Sequence, residues 1–96
     1  MVDLHCLKLE LCVKLTVISS LKEKRSISKS LMNFLKKKHN ISIIEHNNND
    51  SKKFLCFLIS AVSRERDYLL SLIENLEIDI NIFTGFEVIS EEYDIF

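Results

Sequence analysis

Residues 7–15 read Leu-Lys-Leu-Glu-Leu-Cys-Val-Lys-Leu, and residues 20–25 read Ser-Leu-Lys-Glu-Lys-Arg. In the first stretch apolar residues alternate with mostly charged ones, and this period of two predicts a strand with one buried face. In the second stretch Ser20 and Glu23 have capping-box spacing, in which the hydroxyl and the carboxylate satisfy free N–H groups at a helix start. The chain therefore opens with a strand that leads into a helix.

The predicted first helix has an apolar side and a basic end. Its apolar residues recur at the spacing of a helix packed on a core. They are Ile27, Leu31, Phe34 and Leu35. Residues 36–39, Lys-Lys-Lys-His, suit the negative end of the helix dipole, and Asn40 is a suitable left-handed terminator.

Two further strands are predicted on either side of a polar loop. Residues 41–46 form a short strand, residues 47–53 form the loop, and residues 54–62 are an almost continuous apolar run. Such a run is typical of a strand that is covered on both faces.

The second helix has two competing patterns in its last turns. Ser63 is expected to cap its start. Isoleucines at positions 78, 80 and 82 alternate with polar residues as in a strand, whereas apolar residues from Leu69 to Phe83 fall on one helical stripe. Because Gly85 stands where a helix-terminating residue belongs, we expect helix to about Phe83 and a last strand over residues 86–95.

The order β-α-β-β-α-β predicts one α+β domain over residues 1–96 with the ferredoxin-like sandwich fold. In this fold a four-stranded antiparallel sheet carries two helices on one face, and strands one and three lie at its centre. The other face has no helix to cover it. Because strand three is apolar on both sides, we expect this bare face to meet a second copy in a homodimer.

Composition limits the class of protein. Of 96 residues, 47 % are hydrophobic and 28 % are charged, which indicates a globular chain. Charged residues interrupt the N-terminus and every long apolar stretch, so we expect no signal peptide and no membrane span.

The three cysteines, Cys6, Cys12 and Cys56, are odd in number and lack metal-binding spacing. We therefore expect buried thiols, no disulfide framework and no metal site, in a reducing cytoplasm.

Charge is divided unevenly along the chain. The formal net charge is −1, but residues 1–53 hold eleven Lys and Arg against five acids, which gives +6. Residues 54–96 hold two Arg against nine acids, which gives −7. Such asymmetry is found in proteins that bind polyanions, and it also arises from solvated surface with internal charge pairing.

The motif at residues 20–25 resembles the YlxP-like family of small bacterial proteins of unknown function. The resemblance covers almost the whole chain, through the strand leading to Glu45 and Asp50 in the next loop to the ending at residues 85–93. In relatives that loop often carries an aromatic residue and a His, and here it has neither, so no loop site is carried over. The resemblance implies a ferredoxin-like fold, the bacterial cytoplasm and an RNA or ribosome context.

The strongest candidate for a binding site is the basic side of the first helix. At about 100° per residue, Lys22, Arg25, Lys29 and Lys36 fall within roughly 60° of one another, opposite the apolar stripe. Such a row can follow a phosphate backbone, so we predict a nucleic-acid-binding site of these four residues and Lys37, extended by Lys38 and His39. The alternative is an ordinary solvated helix face, with Glu23 as a cap and Lys24 lying along the core edge with its amine in water.

Other kinds of site fit the sequence poorly. The three histidines have no recognisable nucleophile or acid partner, and a glycine-rich phosphate loop of the acylphosphatase kind cannot form because the only glycine is Gly85. Phe54 and Phe57 have opposite parity, so they cannot form the aromatic platform of an RNA-recognition sheet. We expect a non-catalytic protein without cofactor, small-molecule substrate or membrane attachment, whose partner is RNA or the ribosome. The alternative is an interaction module that dimerises through the bare sheet face.

Overall fold

The structure is a computed structural model that describes residues 3–16, 18–46 and 52–96. Its elements are, in chain order, β1 (His5–Lys14), α1 (Leu21–Lys38), β2 (Ser42–Glu45), β3 (Phe54–Ser63), α2 (Arg66–Thr84) and β4 (Glu87–Ile95). The strands form one four-stranded sheet in the order β2-β3-β1-β4, and every neighbouring pair is antiparallel. The predicted ferredoxin-like fold, with strands one and three in the centre, is confirmed.

The hydrophobic core lies between one face of the sheet and the two helices. Leu7, Leu9, Leu11 and Val13 alternate along β1 and are each at most 1 % exposed. Leu11 lies opposite Phe57 of β3, so the odd-numbered residues of both central strands share this face. The helices complete the core with Leu31, Leu35, Leu69, Leu72, Ile73, Leu76 and Ile80.

Helix α1 begins at the predicted cap. The Ser20 hydroxyl accepts a hydrogen bond from the Glu23 N–H at 3.1 Å. The Glu23 carboxylate accepts from the N–H of Ser19 at 3.2 Å and from the Ser19 hydroxyl at 2.7 Å, so two neighbouring serines share the capping box. The helix ends at Lys38, and its C-cap is His39, whose backbone is extended, one residue before the expected terminator Asn40.

Helix α2 runs through the segment that also carries a strand pattern. Its left-handed cap is Gly85, with a φ of 75°, and the Gly85 N–H donates to the carbonyl of Asn81. The expectation of helix to about Phe83 is therefore confirmed. The predicted Ser63 cap is wrong, because Glu65 is the residue before the helix. The Ser63 hydroxyl accepts from the Glu65 N–H at 3.0 Å, which forms a local turn ahead of the helix.

Residues 47–51 of the predicted polar loop, including Asp50, lie outside the described residues.

Within the described ranges, neither helix combines the length and the apolar character needed to cross a lipid bilayer.

Candidate nucleic-acid interface

The structure places the five predicted cations together on the outer side of α1. Lys22, Arg25, Lys29, Lys36 and Lys37 are all exposed, and we call them the basic row. Leu31 and Leu35 on the opposite side of the helix are fully buried. From Lys22 to Lys36 the row spans roughly 21 Å at 1.5 Å per residue.

The basic row is not neutralised by the acidic second half of the chain. In the part of the chain that the structure describes, no residue of the row forms an ion pair. Exposed cations held on one helix face without acidic partners can each contact a phosphate oxygen.

The predicted extension of the row by Lys38 and His39 is wrong. Both side chains turn to Asp79 of α2: Lys38 Nζ lies 2.8 Å from Oδ1 and His39 Nε2 lies 2.6 Å from Oδ2. Asp79 is only 5 % exposed, and it needs these partners because a buried carboxylate without them is costly. Burial pushes the pKa of Asp79 up, but the hydrogen bonds and charges of Lys38 and His39 outweigh it and hold that pKa below its ordinary value. The three residues join the end of α1 to α2.

Glu23 and Lys24, which lie between Lys22 and Arg25 in the sequence, have structural roles. Hydrogen bonds from the Ser19 hydroxyl and N–H lower the pKa of Glu23, as expected of a capping carboxylate. Lys24 is only 3 % exposed, so the expectation that its amine reaches water is wrong. Its side chain lies next to Leu21 and Glu45, where α1 passes over β2.

Eight of the nine acidic residues of the second half lie on α2 and β4, and among the described residues none of them pairs with the basic row. Glu77 and Glu91 share a hydrogen bond across these two elements. This bond, partial burial, and the charges of Glu91 and Glu74 raise the pKa of Glu77 to about 7. A carboxyl that holds its proton in this way can share a hydrogen bond with a neighbouring carboxylate.

Among the described residues, the bare face of the sheet carries no aromatic platform. Phe57 is fully buried in the core and Phe54 lies on the opposite face, as their parity predicts. On the bare face His46 Nε2 lies 3.5 Å from Glu10 Oε2, and both side chains are more than one third exposed. Among the described residues, no group of three or more metal-binding side chains occurs.

The expectation of three free thiols is wrong for two of them. Cys12 of β1 lies directly opposite Cys56 of β3, and the two form a disulfide across the central strands. Cys6 is free. The odd number and the spacing of the cysteines predicted thiols, whereas the pairing follows from the antiparallel register of β1 and β3, which brings together two cysteines 44 residues apart in the sequence.

One aromatic side chain near the basic row was assigned to the core by its spacing. Phe83 completes the apolar stripe of α2, but it is 44 % exposed. Its ring stacks on Phe34 of α1, with centroids 4.5 Å apart and planes 13° apart. Its place in the last turn of the helix, two residues before the terminating Gly85, is a signal in the sequence for this exposure.

A family model described as "Protein of unknown function (DUF503)" matches residues 6–93. This chain belongs to the DUF503 family. No curated protein sequence matches this DUF503 chain. The name of the family states no activity.

Solved structures resemble this DUF503 protein at low sequence identity. The de novo designed protein Foldit4 is 10 % identical, with a TM-score of 0.48 over 98 % of this chain and 94 % of that one. SnoaB, a cofactor-independent oxygenase from Streptomyces nogalater, is 10 % identical, with a TM-score of 0.46 over 98 % and 91 %. A periplasmic domain of SecDF is 13 % identical, with a TM-score of 0.46 over 94 % and 87 %.

Proposed function

We propose that this DUF503 protein is a non-catalytic protein of the bacterial cytoplasm that binds RNA, free or in the ribosome, through the basic row of α1. In that compartment the Cys12–Cys56 pair would be held as two thiols. The observation that carries the proposal is the exposure of five cations on one helix without an acidic partner among the described residues. The resemblance of residues 20–25 to the YlxP-like family supports the RNA context.

The physical basis is charge neutralisation. Each cation that contacts a phosphate releases a condensed counterion, so the affinity falls as salt rises, with a logarithmic slope of about 0.7 per contact on a single strand. A helix face offers positions but no base-specific hydrogen bonds along a regular duplex, so the contacts of the row would position the backbone without reading a sequence.

The test measures binding of a labelled ribosomal RNA fragment by fluorescence anisotropy between about 50 and 200 mM salt. Lys22, Arg25, Lys29 and Lys36 are changed together to Glu. We expect an affinity loss of more than about tenfold and a salt slope smaller by roughly 3. The matched control changes the exposed Arg64 and Arg66 to Glu, away from α1. Equal losses in both variants, or no binding by the wild type, would contradict the proposal.

A second candidate function is dimerisation through the bare sheet face. This face exposes Ile44, Val62 and the C-terminal Phe96 at 59 %, 55 % and 70 %. Lys8 lies opposite Asp94 on the neighbouring strand, so both signs of charge occur together, as a self-complementary surface requires. Exposed apolar residues rimmed by polar ones are typical of protein interfaces.

Sedimentation of the Ile44→Lys variant tests the dimer, and we expect it to convert a dimeric wild type to a monomer. The Ile82→Lys variant is the control, since Ile82 is 75 % exposed on α2. A charged residue at position 57 would not test the dimer, because Phe57 is fully buried in the core of the single chain. A wild type that sediments as a monomer at all concentrations excludes this function.

A further inference from the structure

A small hollow lies beside the basic row, between α1 and the end of α2. It encloses about 250 Å³. Its lining consists of Ser26, Ile27 and Ser30 of α1 and of Phe83, Thr84 and Phe86 at the junction of α2 and β4. The lining thus combines two aromatic rings and an isoleucine with the hydroxyl groups of two serines.

The aromatic wall of the hollow is held in place. One face of the Phe83 ring is occupied by the stacked Phe34 ring, so the exposed part of Phe83 is directed by packing. The Thr84 hydroxyl donates to the carbonyl of Ile80 at 2.7 Å and accepts from the Phe86 N–H at 3.0 Å. The Asn81 side chain donates to the carbonyl of Phe86 at 3.1 Å. A wall fixed in this way requires little reorganisation when a flat ligand binds.

The other wall is continuous with the basic row. Ser26 lies four residues after Lys22 and three before Lys29, so it neighbours both cations on the surface of α1, and Ser26 and Ser30 are both exposed. Lys37 is seven residues after Ser30, which is close to two turns, so it lies on the same line of the helix. The mouth of the hollow is therefore flanked by cations, and an anionic chain bound to the row would pass beside it.

We propose that this hollow takes one unpaired nucleobase of a single-stranded RNA whose phosphates lie on the basic row. This inference rests on the function proposed above. Bases stack on exposed aromatic rings in single-strand recognition, and hydroxyl groups can bond the base edges. The volume is below the 300–1,000 Å³ that is typical of drug-sized ligands, and it suits a single flat ring system.

The experiment compares two probes that share phosphate charge and differ in bases. One is a uridine oligonucleotide of twelve residues, and the other is inorganic polyphosphate of similar length. In the Phe83→Leu variant we expect the oligonucleotide to bind about 5- to 10-fold more weakly, since one base–aromatic contact is lost. Polyphosphate binding and the salt slope should stay unchanged. The control is Tyr68→Leu, which removes another exposed aromatic ring of α2.

A second variant and a crosslinking experiment distinguish loss of the base site from a general effect on folding. Ser30→Phe fills the hollow without removing a core residue, and we expect it to weaken only the oligonucleotide. Photocrosslinking with 4-thiouridine should label Phe83 or Phe86, as mapped by mass spectrometry.

The outcomes separate this inference from the proposal it rests on. A wild type that binds polyphosphate as tightly as the oligonucleotide, or crosslinks confined to residues of α1 outside the hollow, would overturn the base site and leave binding through α1 standing. Crosslinks confined to the bare sheet face would overturn both. A wild type that binds neither probe overturns both. A loss confined to the oligonucleotide in both hollow variants supports the base site.

Discussion

At the scale of single residues, Asp79 is the clearest case of a side chain whose environment sets its chemistry. Its carboxylate is buried on α2 and bonded to Lys38 and His39 from the end of α1. Two donors from another element compensate the loss of water, and they make the docking of the two helices depend on charge.

The Asp79→Asn variant should therefore lose stability, by about 1–3 kcal/mol in urea unfolding at pH 7. Since the pKa of Asp79 is lowered on folding, its contribution is complete above its ordinary value of 3.8 and is lost as the pH falls through the lower folded value. The variant should lack this acid dependence. Asp67→Asn, at an exposed position in the first turn of α2, is the control. If the free energy of unfolding of Asp79→Asn fell at low pH as much as that of the wild type, the Asp79 carboxylate would not contribute to the acid dependence of stability.

Glu77 is the opposite case, because its pKa is raised to about 7 by the shared bond with Glu91, by burial and by neighbouring charge. The folded state then binds a proton more tightly than the unfolded chain, so stability falls as the pH rises from about 4.5 through 7. The Glu77→Gln variant should remove this slope and be more stable above pH 7, by about 1 kcal/mol after allowance for solvent screening. Urea unfolding across this range measures it, with Glu65→Gln as control. A variant less stable than the wild type at pH 8 would contradict the expectation.

At the scale of elements, the two central strands are joined by a covalent bond as well as by hydrogen bonds. Cys12 and Cys56 close a loop of 44 residues that contains α1 and β2. A crosslink of this span lowers the entropy of the unfolded chain.

We expect the oxidised protein to be about 2–4 kcal/mol more stable than the reduced one in denaturant unfolding. The double variant Cys12→Ala, Cys56→Ala should be insensitive to reductant. The Cys6→Ser variant, which keeps the pair, should respond as the wild type does. Intact mass without reductant first confirms that the bond is present, and a reduced protein of equal stability would refute the expectation.

The end of α2 depends on backbone conformation alone. Gly85 has a φ of 75°, and a side chain added there would meet nothing within 4 Å. Gly85→Ala should thus cost about 1 kcal/mol through the left-handed backbone and not through a clash. Gly85→Asn should cost less, because Asn tolerates this region. Thermal unfolding compares the two, and a larger loss in the Asn variant would point to a steric cause instead.

At the scale of the whole molecule, the basic row and the bare face lie on opposite sides of one sheet. The helices separate them, since a layer packed on a sheet adds about 10 Å. Changes on the two surfaces should therefore act independently. Ile44→Lys should leave the salt slope of RNA binding unchanged, and charge reversal on α1 should leave sedimentation unchanged. A change in either cross-measurement would mean that one surface contributes to both functions.

The order of the elements, the fold, the start of α1 and the end of α2 could all be predicted from the amino-acid sequence. These features rest on local signals, namely the two periodicities, the Ser20–Glu23 spacing and the position of Gly85. The outward direction of the basic row followed from the same helical period, because the cations lie opposite residues that must be buried.

Contacts between side chains far apart in the sequence became known from the three-dimensional arrangement of the elements. The register of β1 against β3 joined Cys12 to Cys56, and the approach of two helix ends turned Lys38 and His39 towards Asp79. It also placed Phe83 beside the serines of α1 to form the hollow. Such contacts depend on how whole elements are positioned relative to one another, and residues far apart along a single chain carry no local signal of that arrangement.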